Sequence, residues 1–195
     1  SQPVKRHEAV ELWFGKRKRD LYVWLNGVYL GRNDSGYIGC RFDISDLIEY
    51  GGSENNIAVR VDASVSEGWW YDGAGMYRHV KLIVKADDYI KPDGILFRTL
   101  EIGDDAAVVS AEAEVVGSGS VVFELDGRKF EKTLKVPRPK LWSPQSPYLH
   151  TLVARLVGPD GNVRDEVSVR VGIRKFRFDP DRRLFVNGRP EKVKG

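Results

Sequence analysis

Apolar residues recur at every second position along most of this chain, and that period constrains its fold more than any other feature. Over residues 107–116, Val109, Ala111, Ala113 and Val115 point one way while Ser110, Glu112 and Glu114 point the other. Residues 163–171 repeat the arrangement, with Val163, Val167, Val169 and Val171 set against Arg164, Glu166, Ser168 and Arg170. Such alternation belongs to antiparallel strands with one face on a core and the other in water. Asn26-Gly27, Asp126-Gly127, Pro159-Asp160-Gly161-Asn162 and Asn187-Gly188 punctuate the runs. Asx-Gly pairs supply the positive φ angles that two-residue hairpins need. One helical turn is expected, over residues 43–48, opened by an Asp or Ser cap and too short to form a layer. The chain is predicted to be all-β.

Asp87-Asp88 and Pro92-Asp93-Gly94 interrupt the strands, which places a domain boundary within residues 86–94. After it come about seven strand-like runs, the number an immunoglobulin-like sandwich requires. Before it, strands are predicted over residues 8–14, 20–25, 28–31, 37–42, 57–62 and 76–85. Tyr22-Val23-Trp24-Leu25 is apolar on both faces, so this strand is expected to be buried on both sides. So few strands cannot cover it, and residues 1–86 therefore read as the second part of a larger sandwich. The chain begins at Ser1 and stops at Gly195 directly after a strand-like stretch, so both ends are expected to be cut points in a longer protein. A partial sandwich leaves open edges and apolar surface, which favours self-association; homo-oligomer formation is left open.

Composition narrows the function. Thirty-one basic and 28 acidic residues nearly cancel to a formal charge of +3. The run Lys16-Arg17-Lys18-Arg19 sits between apolar segments and ends at Asp20, so it reads as an exposed turn, and no nucleic-acid partner is expected. A single cysteine, Cys40, excludes an internal disulfide and a cysteine-based metal site. No apolar run approaches the roughly 20 residues of a membrane span, and no signal-peptide pattern stands within the chain. No membrane partner is expected, and the compartment is left unassigned: periplasmic, secreted and cytoplasmic locations all fit.

No nucleophile elbow, phosphate-binding loop or His-Glu-x-x-His motif is present. His7, His79 and His150 are isolated in sequence and read as surface or packing residues, and no cofactor or metal is assignable. Gly68-Trp69-Trp70-Tyr71-Asp72-Gly73-Ala74-Gly75-Met76-Tyr77-Arg78 is the unusual stretch, with three consecutive aromatics among glycines. Aromatic faces stack on sugar rings, and Asp62 or Asp72 can accept hydrogen bonds from sugar hydroxyls. The same aromatics would also serve to plug the end of a sandwich. Leu141-Trp142-Ser143-Pro144-Gln145-Ser146-Pro147-Tyr148-Leu149 carries two prolines and cannot continue a central ladder. It reads as a rigid crossing anchored by Trp142 and Tyr148.

Taken in order, these segments resemble glycoside hydrolase family 2, the β-galactosidases, β-glucuronidases and β-mannosidases. Tyr22 through Gly31, Gly36-Tyr37, Phe42 through Ser45, Asn56 through Asp62 and Trp70 through Arg78 resemble the second half of the family's galactose-binding-like jelly roll. Leu141-Trp142-Ser143-Pro144 with Pro147 through Leu152 resembles its immunoglobulin-like domain. Val171 through Phe176 and Leu184 through Pro190 resemble the lead-in to its (β/α)₈ barrel. The resemblance implies three parts: residues 1–86 from the jelly roll, 87–178 as the immunoglobulin-like sandwich, and 179–195 as a hairpin entering a catalytic barrel outside the chain. It implies retaining hydrolysis of β-linked glycosides, β-galactosides first, by two glutamates in that barrel. No catalytic residue is then expected here. Substrate contact is implied for Asp62, and less directly for Trp69, Trp70 and Tyr71, with the scaffold packing on the barrel. Two other readings are a free-standing carbohydrate-binding module and a purely structural interaction module. The first needs Trp69, Trp70 and Tyr71 exposed; the second needs them buried and Asp62 paired with a neighbouring Arg.

Overall fold

The computed structural model of the chain describes residues 9–15, 17–18, 20–35, 38–62, 64, 75–76, 78–180 and 183–192. Among these, all regular structure is β: eighteen strands and no helix. They fall into two compact units, Ser1–Asp87 and Asp88–Gly195.

In the first unit, β1 (Ala9–Phe14) lies between β5 (Cys40–Asp43) and β8 (Val80–Lys85), and β3 (Asp20–Leu25) lies between β4 (Val28–Asn33) and β6 (Ile57–Asp62). β2 (Arg17–Lys18) and β7 (Gly75–Met76) form a separate two-stranded ladder. The two larger sheets face each other. Val10, Leu12 and Phe14 from one and Leu21, Val23 and Leu25 from the other are fully buried, with Ile44 beside them. Gly31 sits opposite Val23 at φ +147°, and a Cβ there would stand 3.0 Å from the Phe42 ring. Glycine at this position lets Phe42 press against β4 from the facing sheet. The expected helical turn is one turn only. Ile48 N–H donates to Ile44 O at 2.9 Å, and the Asp43 carboxylate accepts from Ser45 N–H at 3.0 Å.

Tyr22-Val23-Trp24-Leu25 departs from expectation. Leu21, Val23 and Leu25 enter the core, whereas Tyr22 and Trp24 face outward and are half-buried. Their own neighbours cover them in part. Trp24 lies 6.3 Å from Tyr22 and 5.5 Å from Tyr29, and the Arg60 guanidinium rests 5.8 Å from the Tyr22 ring centre. Aromatic and cation–π contacts along the sheet do the covering that the period alone assigned to a second layer.

The second unit is a seven-stranded sandwich of the immunoglobulin-like kind. β10 (Ala106–Val116) lies between β9 (Tyr89–Ile102) and β13 (Thr133–Pro137). The facing sheet runs in the order β12 (Arg128–Phe130), β11 (Ser120–Leu125), β14 (His150–Val157), β15 (Val163–Val171). Ala107, Val109 and Ala111 meet Phe123, Leu125, Leu152, Ala154 and Leu156 across the middle. Pro92-Asp93-Gly94 does not end a strand. β9 runs through it with Asp93 at φ 57° and a register shift opposite Ala113–Val115, so the three residues form a bulge. Asp165 replaces an aliphatic residue on the inward row of β15, opposite Leu156. Its carboxylate accepts from Ile90 N–H at 3.0 Å and so ties the start of β9 to the other sheet. A small sheet of β16 (Phe176–Phe178), β17 (Leu184–Val186) and β18 (Arg189–Glu191) follows.

Candidate functional site

Asp62 ends β6 on the outward face of its sheet, because Val61, Val59 and Ile57 pair with the buried Leu21, Val23 and Leu25. Its two oxygens are engaged locally: Oδ2 accepts from the Arg60 guanidinium at 2.6 Å and Oδ1 from Ser64 N–H at 2.9 Å. The hydrogen bonds from Ser64 first, and then the Arg60 charge, hold the Asp62 carboxyl below the usual carboxylate range. A carboxylate kept ionised accepts hydrogen bonds from hydroxyl groups; it does not serve as a general acid near neutrality.

Asp20 stands directly opposite Asp62 in the register, so two carboxylates share the outward face where the β3–β6 pair ends. Sequence reasoning missed Asp20. Its pairing with Asp62 depends on a register that becomes visible only once β3 is aligned with β6. On the same face, Tyr22, Trp24 and Arg60 continue the surface away from the two acids. Trp69, Trp70 and Tyr71, the other proposed sugar contacts, lie outside the described residues, as do Asp72 and His7.

The Pro-rich crossing of the second unit is anchored as its sequence suggested. Trp142 N–H donates to Ile173 O at 2.9 Å, Trp142 O accepts from the Asn187 side chain at 2.9 Å, and the Arg174 guanidinium lies 4.5 Å from the Trp142 ring centre. Tyr148 meets His150 edge-on at 4.9 Å. His150 is only 5% exposed and is a packing residue, with Nδ1 at 2.5 Å from Asp126 Oδ2 and Nε2 at 2.9 Å from Lys140 O. Among the described residues no group of three or more His, Cys, Asp or Glu side chains is placed to hold a metal ion.

Residues 80–174 match the sequence profile of the family described as Glycosyl hydrolases family 2. A candidate beta-glucuronidase of Formosa agariphila is 34% identical over 193 residues, covering 89% of this chain and 18% of that protein. A beta-galactosidase of Thermoanaerobacter pseudethanolicus is 29% identical over 202 residues, covering 89% of this chain and 27% of its own length. Among solved structures, a beta-glycosidase from Bacteroides vulgatus superposes with a TM-score of 0.83 at 30% identity, over 100% of this chain and 28% of that one. The chain thus spans about a fifth to a quarter of the length of these curated relatives. Profile, relatives and superposed fold agree: residues 80–174 carry the profile of glycosyl hydrolases family 2, and nearly the whole chain is similar to part of such β-glycosidases.

Proposed function

We propose that this chain is a non-catalytic accessory region of a retaining glycoside hydrolase that acts on β-linked glycosides, β-galactosides first. The observation that carries the proposal is coverage: relatives named for β-glycosidase activity match this chain over only 18–27% of their own length. Most of each such protein therefore lies outside the matched segment, which leaves ample length there for a separate catalytic domain. In this reading the two catalytic glutamates belong to a barrel beyond residue 195, and residues 87–178 form the immunoglobulin-like support. Residues 179–195 lead into the barrel, and the scaffold packs on it. Asp62, with Trp69, Trp70 and Tyr71, contributes to the substrate wall.

The remaining piece is residues 1–86 as the second half of a jelly roll, and one structural feature supports it. Val84, Leu82 and Val80 of β8 pair with the buried Val10, Leu12 and Phe14, so they point toward the core side. They are nevertheless 39%, 51% and 45% exposed. Ile57, opposite the buried Leu25, is 42% exposed. Inward-facing apolar side chains left open along one side are what a sandwich short of strands presents.

Asp62 also fits the structural reading, since Arg60 occupies one of its oxygens. Turnover separates the alternatives. The chain and a version extended at both ends through the barrel are assayed on nitrophenyl β-D-galactoside, β-D-glucuronide, β-D-mannoside and β-D-glucoside. The extended protein is expected to turn over the galactoside fastest and the 195-residue chain none of them. Turnover by the chain itself overturns the accessory reading, and a glucuronide preference in the extended protein overturns the choice of sugar.

A further inference from the structure

At one end of the second unit, a cleft of about 240 Å³ opens between the Asp126-Gly127 hairpin, the end of β13 and the Pro-rich crossing. Its walls carry three cations, Arg128, Arg138 and Lys140. Elsewhere in this unit Lys91 pairs with Glu114, Arg155 with Glu124 and Glu166, Arg164 with Asp160, and Arg183 with Asp179. These three have none among the described residues. Lys140 touches only the Tyr148 ring, 4.9 Å from its centre. The one acid in the cleft, Asp126, is already engaged, with His150 Nδ1 at 2.5 Å and Thr151 N–H at 3.1 Å on its two oxygens. The field at the mouth is therefore positive, and the wall presents three exposed cations whose donors are free to exchange water for an anionic ligand.

The backbone holds this arrangement rigidly. Arg138 stands between Pro137 and Pro139 with φ at +42°, a conformation a non-glycine residue adopts only when its surroundings impose it. A hydrogen bond from Arg138 N–H to Asp105 O at 2.7 Å is part of what imposes it. Strain of this sort, spent on presenting one guanidinium beside a cleft, is a mark of a functional position.

We infer that this cleft binds an acidic sugar unit, with Arg128, Arg138 and Lys140 holding its carboxylate or sulfate group and Tyr148 and the prolines offering apolar faces to its ring. The volume accommodates a single pyranose ring, too little for a longer stretch of polymer to be enclosed. Arginine suits either anion, because its planar fork donates two parallel hydrogen bonds. The site lies in the second unit and does not involve Asp62, so it stands or falls independently of the proposed activity.

Calorimetric titration of the 195-residue chain tests it with three tetrasaccharides: tetragalacturonate, a sulfated heparin tetrasaccharide and neutral cellotetraose. One or both acidic ligands are expected to bind, and which of them does so identifies the anion; cellotetraose is expected to show no heat of binding. Arg138→Gly keeps the backbone conformation while removing the guanidinium, and it and Lys140→Gln should each, made singly, weaken the acidic ligand at least tenfold. Arg98→Gln removes an equal charge from the far strand of the same sheet and should leave affinity within about twofold. An equal loss from Arg98→Gln reduces the effect to bulk charge and overturns the site. So do binding of cellotetraose at the same strength, equal binding of a single-stranded DNA tetranucleotide, or the absence of binding by both acids.

Discussion

His150 is held between two acceptors, the Asp126 carboxylate at 2.5 Å on Nδ1 and the Lys140 carbonyl at 2.9 Å on Nε2. A neutral imidazole carries one N–H and can donate to only one of them; the doubly protonated ring donates to both. The pair thereby pins the Pro-rich crossing to the β11–β12 hairpin from inside the sandwich. His150→Phe keeps an aromatic ring against Tyr148 but leaves the Lys140 carbonyl without its partner. Losing these bonds should lower stability by about 2 kcal/mol. A urea unfolding curve checks this, and an unchanged midpoint would show that the ring acts only as filler.

The same pair makes stability depend on acid. Partial burial pushes the Asp126 carboxyl up, but hydrogen bonds from His150 and Thr151 N–H, together with the charges of His150 and Arg170, outweigh it and hold the carboxyl below the ordinary range. A carboxyl whose folded value is depressed contributes stability that is fully present above the unfolded value of about 3.9 and fades as pH falls through the folded value. Asp126→Asn should therefore cost stability at pH 7, with the gap to the unmodified chain narrowing below about pH 4. Melting temperatures of both proteins between pH 7 and pH 2.5 would decide it; a constant gap contradicts the linkage.

Much of this was legible because local chemistry and fold agreed. Asn26-Gly27, Asp126-Gly127 and Asn187-Gly188 each take positive φ at both residues, as their sequence demands, and each closes a hairpin. Three features were not legible, for separate reasons. Pro92-Asp93-Gly94 has the composition of a break, yet a bulge absorbs it because β10 pairs with β9 on both sides. Tyr22 and Trp24 look like core residues by hydropathy, and only the lateral contacts of Arg60 and Tyr29 make a half-buried outer face acceptable. Asp126 and His150 are 24 residues apart, and neither has a local pattern that announces the other. The cleft they floor depends on that long-range pairing.

Asp62 offers a separation of structural from functional roles. Its partners Arg60 and Ser64 are near in sequence and its bonds to them lie on an open surface, so Asp62→Asn should leave the melting temperature nearly unchanged. In the extended protein, a hydrogen bond from this carboxylate to a sugar hydroxyl would be lost, raising KM for the galactoside on the order of tenfold. Steady-state kinetics beside a melting curve gives both readouts. A fall in melting temperature with KM unchanged assigns Asp62 to the scaffold instead.

Gly119 and Gly127 both adopt positive φ, at +139° and +86°, but their surroundings differ. A Cβ on Gly119 would stand 2.6 Å from Val157 O and 2.9 Å from Leu156 Cδ1, whereas Gly127 has nothing within 4 Å. Gly127→Ala meets only the backbone penalty, about 1 kcal/mol. Gly119→Ala adds displacement of the bulged end of β14 and should cost about 2–3 kcal/mol. Paired unfolding curves compare them; equal losses would mean that the β11 entrance yields without cost.

The open side of the first unit yields a prediction that depends on context. Leu82 points to the core side of its sheet and is 51% exposed, with Val80 and Val84 beside it. Apolar rows left open on a sheet recruit further protein, and with no other partner available a second copy serves. The 195-residue chain should therefore self-associate at tens of micromolar, on the order of weak protein–protein affinities, and Leu82→Lys should return it to monomer with its unfolding midpoint nearly unchanged. In the extended protein the same position would be covered by the added strands, so Leu82→Lys would bury an unpaired ammonium and cost about 3 kcal/mol or more. Sedimentation velocity on the short chain and thermal unfolding of both lengths make the comparison. If Leu82→Lys is silent in the extended protein, the added residues do not close this side of the sandwich, and residues 1–86 are not the second half of a jelly roll.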